Sequence, residues 1–315
     1  MVMDAVYLDI RKVARKIVAR YPQPDFYREH PSEVSVSRRF YRTNASIARL
    51  RQNLAANLDD DFGHGMGHVE KVAIDAGTLV VIESRRAGHA ETLVHRNLLL
   101  AQFAGLLHDI RRKEKAHAIK GAETAKRILQ EYPLTPEEIS HVCAAIRNHE
   151  AFAHLERLSA RQGRIISDCL YDADKFRWGP DNFAHTIWDM VAFLDPPLQK
   201  FIAHYPSGMA LLKKIRTTFR SQTGKRYGPQ FIDMGIAIGD ELFQVILTMP
   251  AASSAPRLDG SKGFPVRRRG PQDRRRRVQT GIEPFFAGRQ MLKQVPFPGV
   301  EETPRVPPWF SVTMK

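Results

Sequence analysis

The chain has 315 residues, 43% hydrophobic and 26% charged, an ordinary globular composition with length for two average domains or one large core. Its formal net charge is +14: residues 251–315 hold 13 Lys/Arg and 5 Asp/Glu, a net of +8, and the first 250 carry the remaining +6, so both parts favour anionic partners. No apolar run nears the ~20 residues of a membrane span, no secretory signal pattern opens the chain, and two cysteines, Cys143 and Cys169, cannot staple a secreted fold. A soluble cytoplasmic protein is the expectation, with no membrane contact.

The readable patterns are helical and are taken in chain order. Val6, Ile10, Val13 and Ile17 recur at helical spacing, as do Ile47, Leu50 and Leu54 behind an Asn44 cap. Residues 66–83 place Val69, Val72, Ala76, Leu79 and Val80 on one side. Residues 98–107 are apolar nearly all round, the mark of a helix in the middle of a core. Thr135-Pro136-Glu137-Glu138 reads as a capping box with proline at the first helical position, followed by an Ile139, Val142, Cys143 and Ile146 stripe. Further helices are expected at 182–194, 207–219 and 229–248. No sustained period-two alternation is present, so the predicted class is all-α.

Three regions are expected: an N-terminal helical segment over 1–44, a main domain over 45–250, and a tail over 251–315. The tail holds 9 of the 20 prolines, no histidine, and arginine runs at 267–269 and 274–277. Such a segment buries too little apolar surface to offset its ordering entropy, and we expect it to be disordered, with a nucleic-acid contact as its possible use.

Ten of the twelve histidines fall between His64 and His185. His108-Asp109 ends the buried apolar helix, so two metal-competent side chains emerge from the core. His64 and His68 lie four apart in a glycine-rich approach to the 66–83 helix, and Asp172-Ala173-Asp174-Lys175-Phe176 follows another apolar stretch. His68, His108, Asp109 and one of the two aspartates give two imidazoles and two carboxylates, a set suited to Mn, Fe, Co, Ni or Zn rather than Ca. The ordered set of His68, then Leu106-Leu107-His108-Asp109-Ile110, then Asp-Ala-Asp-Lys-Phe resembles the HD-domain metal-dependent phosphohydrolases over roughly residues 45–180.

The resemblance implies an HD-type helical bundle with His68, His108, Asp109 and Asp174 as ligands, Asp174 being preferred to Asp172 because it precedes the basic-apolar pair. It also implies a second ion where His117 and His149 stand, so one divalent ion, or two. The expected activity is hydrolysis of a phosphate ester, of a nucleotide by expectation, with Asp109 central to catalysis. A divalent ion lowers the pKa of bound water from about 15.7 towards ~7. Arg111, Lys113 and Lys175 are the candidate cations for the phosphate, and His64 a candidate for orienting substrate or protonating the leaving group. The chain departs from the family at Ile110-Arg111-Arg112-Lys113, where many members have Ile-Gly-Lys, and Arg111 is read as taking the lysine's role. The Gly-Tyr-Pro signature of the cyclic-dinucleotide subfamily is absent, and Asn148 replaces the first of its paired histidines. Two alternatives use the same fold: a non-catalytic nucleotide- or nucleic-acid-binding regulator, and a di-iron oxygenase.

Overall fold

A computed structural model describes residues 3–55 and 65–249. Expectations that fall on His64 and on the 251–315 tail lie outside the described residues. Among those described there are twelve α-helices and no strand, as the periodicity predicts. They are α1 (Ala5–Val18), α2 (Asp25–Glu29), α3 (Pro31–Thr43), α4 (Ala45–Ala55), α5 (Met66–Arg86), α6 (Glu91–Leu107), α7 (His117–Leu129), α8 (Pro136–Arg147), α9 (Arg161–Phe176), α10 (Ile187–Leu194), α11 (Leu198–Ile215) and α12 (Gln222–Thr248). None is long and apolar enough to cross a membrane.

The middle of the fold is α6. Every residue from Leu98 to Leu107 is buried, which is what an all-round apolar surface requires. The one polar side chain in that run, Gln102, donates from Nε2 to the Ser37 carbonyl at 2.9 Å, which satisfies its amide nitrogen but not its buried Oε1. Helix α6 packs most extensively on α5, and α5 in turn packs on α9. Contact with α5 is tight at Gly105, where a Cβ would fall 2.5 Å from the Cα of Ala73. A larger residue would hold the two backbones apart.

The caps follow the sequence. Asn44 Oδ1 accepts from the Ile47 amide at 3.1 Å. In α8, Thr135 Oγ1 accepts from the Glu138 amide at 3.2 Å while Glu138 Oε2 accepts from the Thr135 amide at 2.7 Å, a complete capping box. Two boundaries differ from the sequence reading. Helix α11 starts nine residues before the expected 207, and α12 seven before the expected 229. Pro206 and Pro229 lie inside these helices rather than at their starts. The apolar period continues through the first of them as Phe201, Tyr205, Met209 and Leu212, all buried, and packing outweighs the proline penalty. The 182–194 region divides into a π-helical turn at Asn182–Thr186 and α10.

The first 44 residues are not set apart from the rest. Tyr7, Ile10, Phe26 and Tyr41 belong to the same apolar cluster as Leu100, Cys169 and Phe231. Phe176 at the end of α9 stacks on Phe231 of α12, centroids 4.1 Å apart.

Candidate metal centre

Five helices bring their ends together around one carboxylate, Asp109. His68 stands in the first turn of α5, His108 and Asp109 follow the last residue of α6, His117 opens α7, His149 comes just after α8, and Asp174 is on the last turn of α9. His108, Asp109, His117, His149 and Asp174 are buried. Asp109 faces two groups with its two oxygens. Its Oδ2 lies 3.5 Å from Nε2 of His108 and 3.9 Å from Nε2 of His68. Those nitrogens are 3.3 Å apart, and Asp174 Oδ1 lies 3.4 Å from His68 and 3.8 Å from His108. On the other side, Asp109 Oδ1 is 3.4 Å from Nε2 of His149 and 3.7 Å from Nε2 of His117, which are 3.2 Å from each other.

Three of the imidazoles are oriented by bonds on their outer nitrogens. Nδ1 of His108 donates to the Gly105 carbonyl at 2.8 Å, and Nδ1 of His149 to the Ile146 carbonyl at 2.6 Å. Nδ1 of His117 faces Glu150 Oε1 at 2.8 Å. These oxygens only accept, so the proton of each neutral ring sits on Nδ1 and the Nε2 lone pair points inward. Outer-nitrogen bonds of this kind fix metal-ligating histidines. Burial pushes the His108 pKa down to about 3, against the pull of Asp109 and Asp174, so its lone pair is retained at neutral pH. Burial also works against charge on Asp174, yet the Lys175 ammonium and the hydrogen bond with His68 prevail and hold the carboxyl well below the usual range.

The donor set fits a metal. Ligands about 2.1 Å from one ion stand roughly 3.0–3.5 Å from each other, and the first group, at 3.3–3.9 Å, is close to that spacing though slightly wide. Inward lone pairs on His117 and His149 at 3.2 Å call for a cation beside them, and the Arg112 guanidinium stands there, 2.9 Å from His117 Nε2. Two sets of ligand atoms, His68 with His108 and Asp174, and Asp109 with His117 and His149, can each hold a divalent ion, with Asp109 common to both environments. The backbone beside the second set is strained: Ala116, directly before His117, has φ 52°, and Phe152, just after Glu150, has φ 63°. Non-glycine residues in this region concentrate at functional sites.

The cations are arranged differently from the sequence reading. Arg111 donates from Nε to Thr124 Oγ1 at 3.0 Å and pairs with Glu114, so it is turned onto α7; Lys113 is exposed. Neither lines the cavity at the centre. Arg112 does, with Nη1 2.9 Å from Nε2 of His117 and 3.8 Å from Asp109 Oδ1. Its amide donates to the Asp109 carbonyl, a helical turn that puts residue 112 rather than 111 on the side of Asp109. Lys175 is buried, 2.5 Å from Asp174 Oδ2 and donating to the His149 carbonyl at 3.1 Å, so it fixes the ligands as well as adding charge. Asp172 accepts from the Arg220 and Ser221 amides at 2.8 Å each and anchors the start of α12, away from the centre.

A cavity of about 460 Å³ extends from the centre, reached by His68, Asp109, His117, His149 and Asp174 at one end and by α10 and α11 beyond. Compared with family models, curated proteins and solved structures, the chain matches none.

Proposed function

We propose that this protein is a metal-dependent phosphohydrolase of the HD type, cleaving a phosphate ester by activated water. The observation that carries the reading is the position of Asp109 between two sets of buried donors whose Nε2 lone pairs are turned inward. A divalent ion bound there supplies a lowered water pKa and neutralises phosphoryl charge. The protein's own residues do the rest. His68, His108, Asp109 and Asp174 would hold one ion, and Asp109, His117 and His149 a second. Gly105, Ile146 and Glu150 keep the imidazoles in the ligating tautomer. Arg112 and Lys175 bring positive charge to the cavity end where the ester's phosphoryl oxygens would lie. His64 remains a candidate proton donor from the sequence.

The test is bound-metal analysis of the purified full chain, followed by a phosphate-release assay on phosphomonoesters with Mn²⁺, Co²⁺ or Ni²⁺. Release by wild type that falls at least a thousandfold in Asp109→Ala, with the fold retained by circular dichroism, is the expected result. Equal release in both sinks the reading. Ligand binding without turnover would favour a regulator, and bound iron with oxygen uptake would favour an oxygenase.

A further inference from the structure

The cavity is charged at one end only. Past Lys175 and Arg177 its wall is Phe183, Ile187, Met190, Phe201, Met209 and Leu212, all buried within the fold. Polar side chains on this stretch are few: Asn182, Thr186, His204 and Tyr205. The Tyr205 hydroxyl donates to the Gly239 carbonyl at 2.8 Å, which commits its proton to α12. A nucleobase presents several donors and acceptors along one edge and needs matching groups, because buried polar atoms left without partners are costly. An alkyl, prenyl or aryl group needs none. At the rim Phe152 is 62% exposed in its left-handed backbone and still lines the cavity, extending apolar surface to the mouth. Small-molecule sites of about 300–1,000 Å³ are usually apolar with a few placed polar groups, and here the charged ones gather at the metal-centre end.

We infer that the ester's alcohol is apolar: the substrate is an amphiphilic phosphomonoester, its phosphate at the His/Asp centre and its hydrocarbon arm along α10 and α11. This rests on the phosphohydrolase reading. In the reaction water forms a new P–O bond, the ester P–O bond breaks, and the alcohol leaves carrying a proton from water, giving alcohol and inorganic phosphate with no redox change.

The experiment uses the metal-loaded full chain with butyl, hexyl, octyl and decyl phosphate below their micelle concentrations, and with AMP and inorganic phosphate as comparators. Binding is followed calorimetrically and turnover by phosphate release. Affinity is expected to rise up to about fourfold per methylene, the conversion of ~0.8 kcal/mol per buried CH₂, with decyl phosphate cleaved and AMP bound no better than inorganic phosphate. Met190→Gln, similar in shape and on α10, which carries none of the ligands, should flatten the chain-length dependence and leave inorganic phosphate affinity unchanged. Affinity independent of chain length, with AMP cleaved, overturns the amphiphile and leaves the hydrolase standing. A full chain-length dependence with no phosphate released from any ester overturns hydrolysis instead.

Discussion

Arg112 lies on His117: its Nη1 is 2.9 Å from Nε2, the nitrogen that faces Asp109. A guanidinium thus occupies the place where a second ion would draw on the same lone pair. Removing it takes away a charge-assisted bond of about 1.5–3 kcal/mol that an incoming ion must displace. Arg112→Ala should therefore bind a second Mn²⁺ roughly tenfold or more tightly. Calorimetric titration and bound-metal analysis would read this, and His149→Ala in the same background should abolish the gain. An unchanged second-site affinity in Arg112→Ala would remove the competition argument.

Gly105 sets the distance between the helices that carry His68 and His108. A Cβ there would lie 2.5 Å from Cα and 2.7 Å from N of Ala73, backbone atoms that cannot swing aside. Gly105→Ala should cost about 1–3 kcal/mol in urea unfolding and weaken binding of the first ion. Gly121→Ala is the matched control, since its nearest neighbour would be the His108 carbonyl at 3.4 Å. There the helix gains an alanine, and stability should hold or rise by up to about 1 kcal/mol. Equal effects from the two substitutions would refute the close-approach argument.

Helices α5, α6 and α8 were legible because each leaves a one-dimensional signal. The all-apolar run before His108 marks α6 as central, and the cap at Thr135 fixes the start of α8. The aspartate pair was not resolved by residue type alone. Asp172 and Asp174 differ by two positions, which on a helix turns them to different sides, one to the amides that start α12 and one to His68. Arg112 was missed in favour of Arg111 for the same geometric reason, and its i+3 relation to Asp109 was the available signal. Glu150 and the α10–α11 wall were hidden because their role depends on elements distant in sequence. Phe201, Met209 and Leu212 read as ordinary helix core, and no local pattern distinguishes a side chain packed on another helix from one lining a cavity.

Arg177 joins the site to the N-terminal helices. It is buried, pairs with both Asp75 and Asp181, and donates to the Tyr27 hydroxyl at 2.8 Å, while that hydroxyl donates to Asp75 at 2.7 Å. Burial works against its charge, and Tyr27, Asp75 and Asp181 around it more than restore it, so the guanidinium stays protonated. Arg177→Met leaves Asp75 buried without its cation and should cost about 3–5 kcal/mol. Asp75→Leu added to it should recover part of the loss, since the stranded charge is then gone. Chemical denaturation of the two single variants and the double variant measures this. A single-variant loss below about 1 kcal/mol would place the network among pairs that contribute little.

Glu138 gives a pH test remote from the metal ligands. Arg96 binds it through two bonds of 2.5 and 2.6 Å, and the same carboxylate closes the capping box on Thr135. The Arg96 bonds, against a smaller opposing effect of burial, hold its pKa below the usual glutamate value. A carboxyl depressed in the folded state adds stability above its unfolded pKa of ~4.3 and loses it as pH falls through the lower folded value. Wild type should therefore exceed Glu138→Gln by about 1 kcal/mol at pH 7. The gap should begin to close below about pH 4.3 and vanish in stronger acid. Urea unfolding of both proteins between neutral and acidic pH checks the sign: a gap that widens on acidification would mean the carboxylate is not what Arg96 and the cap stabilise.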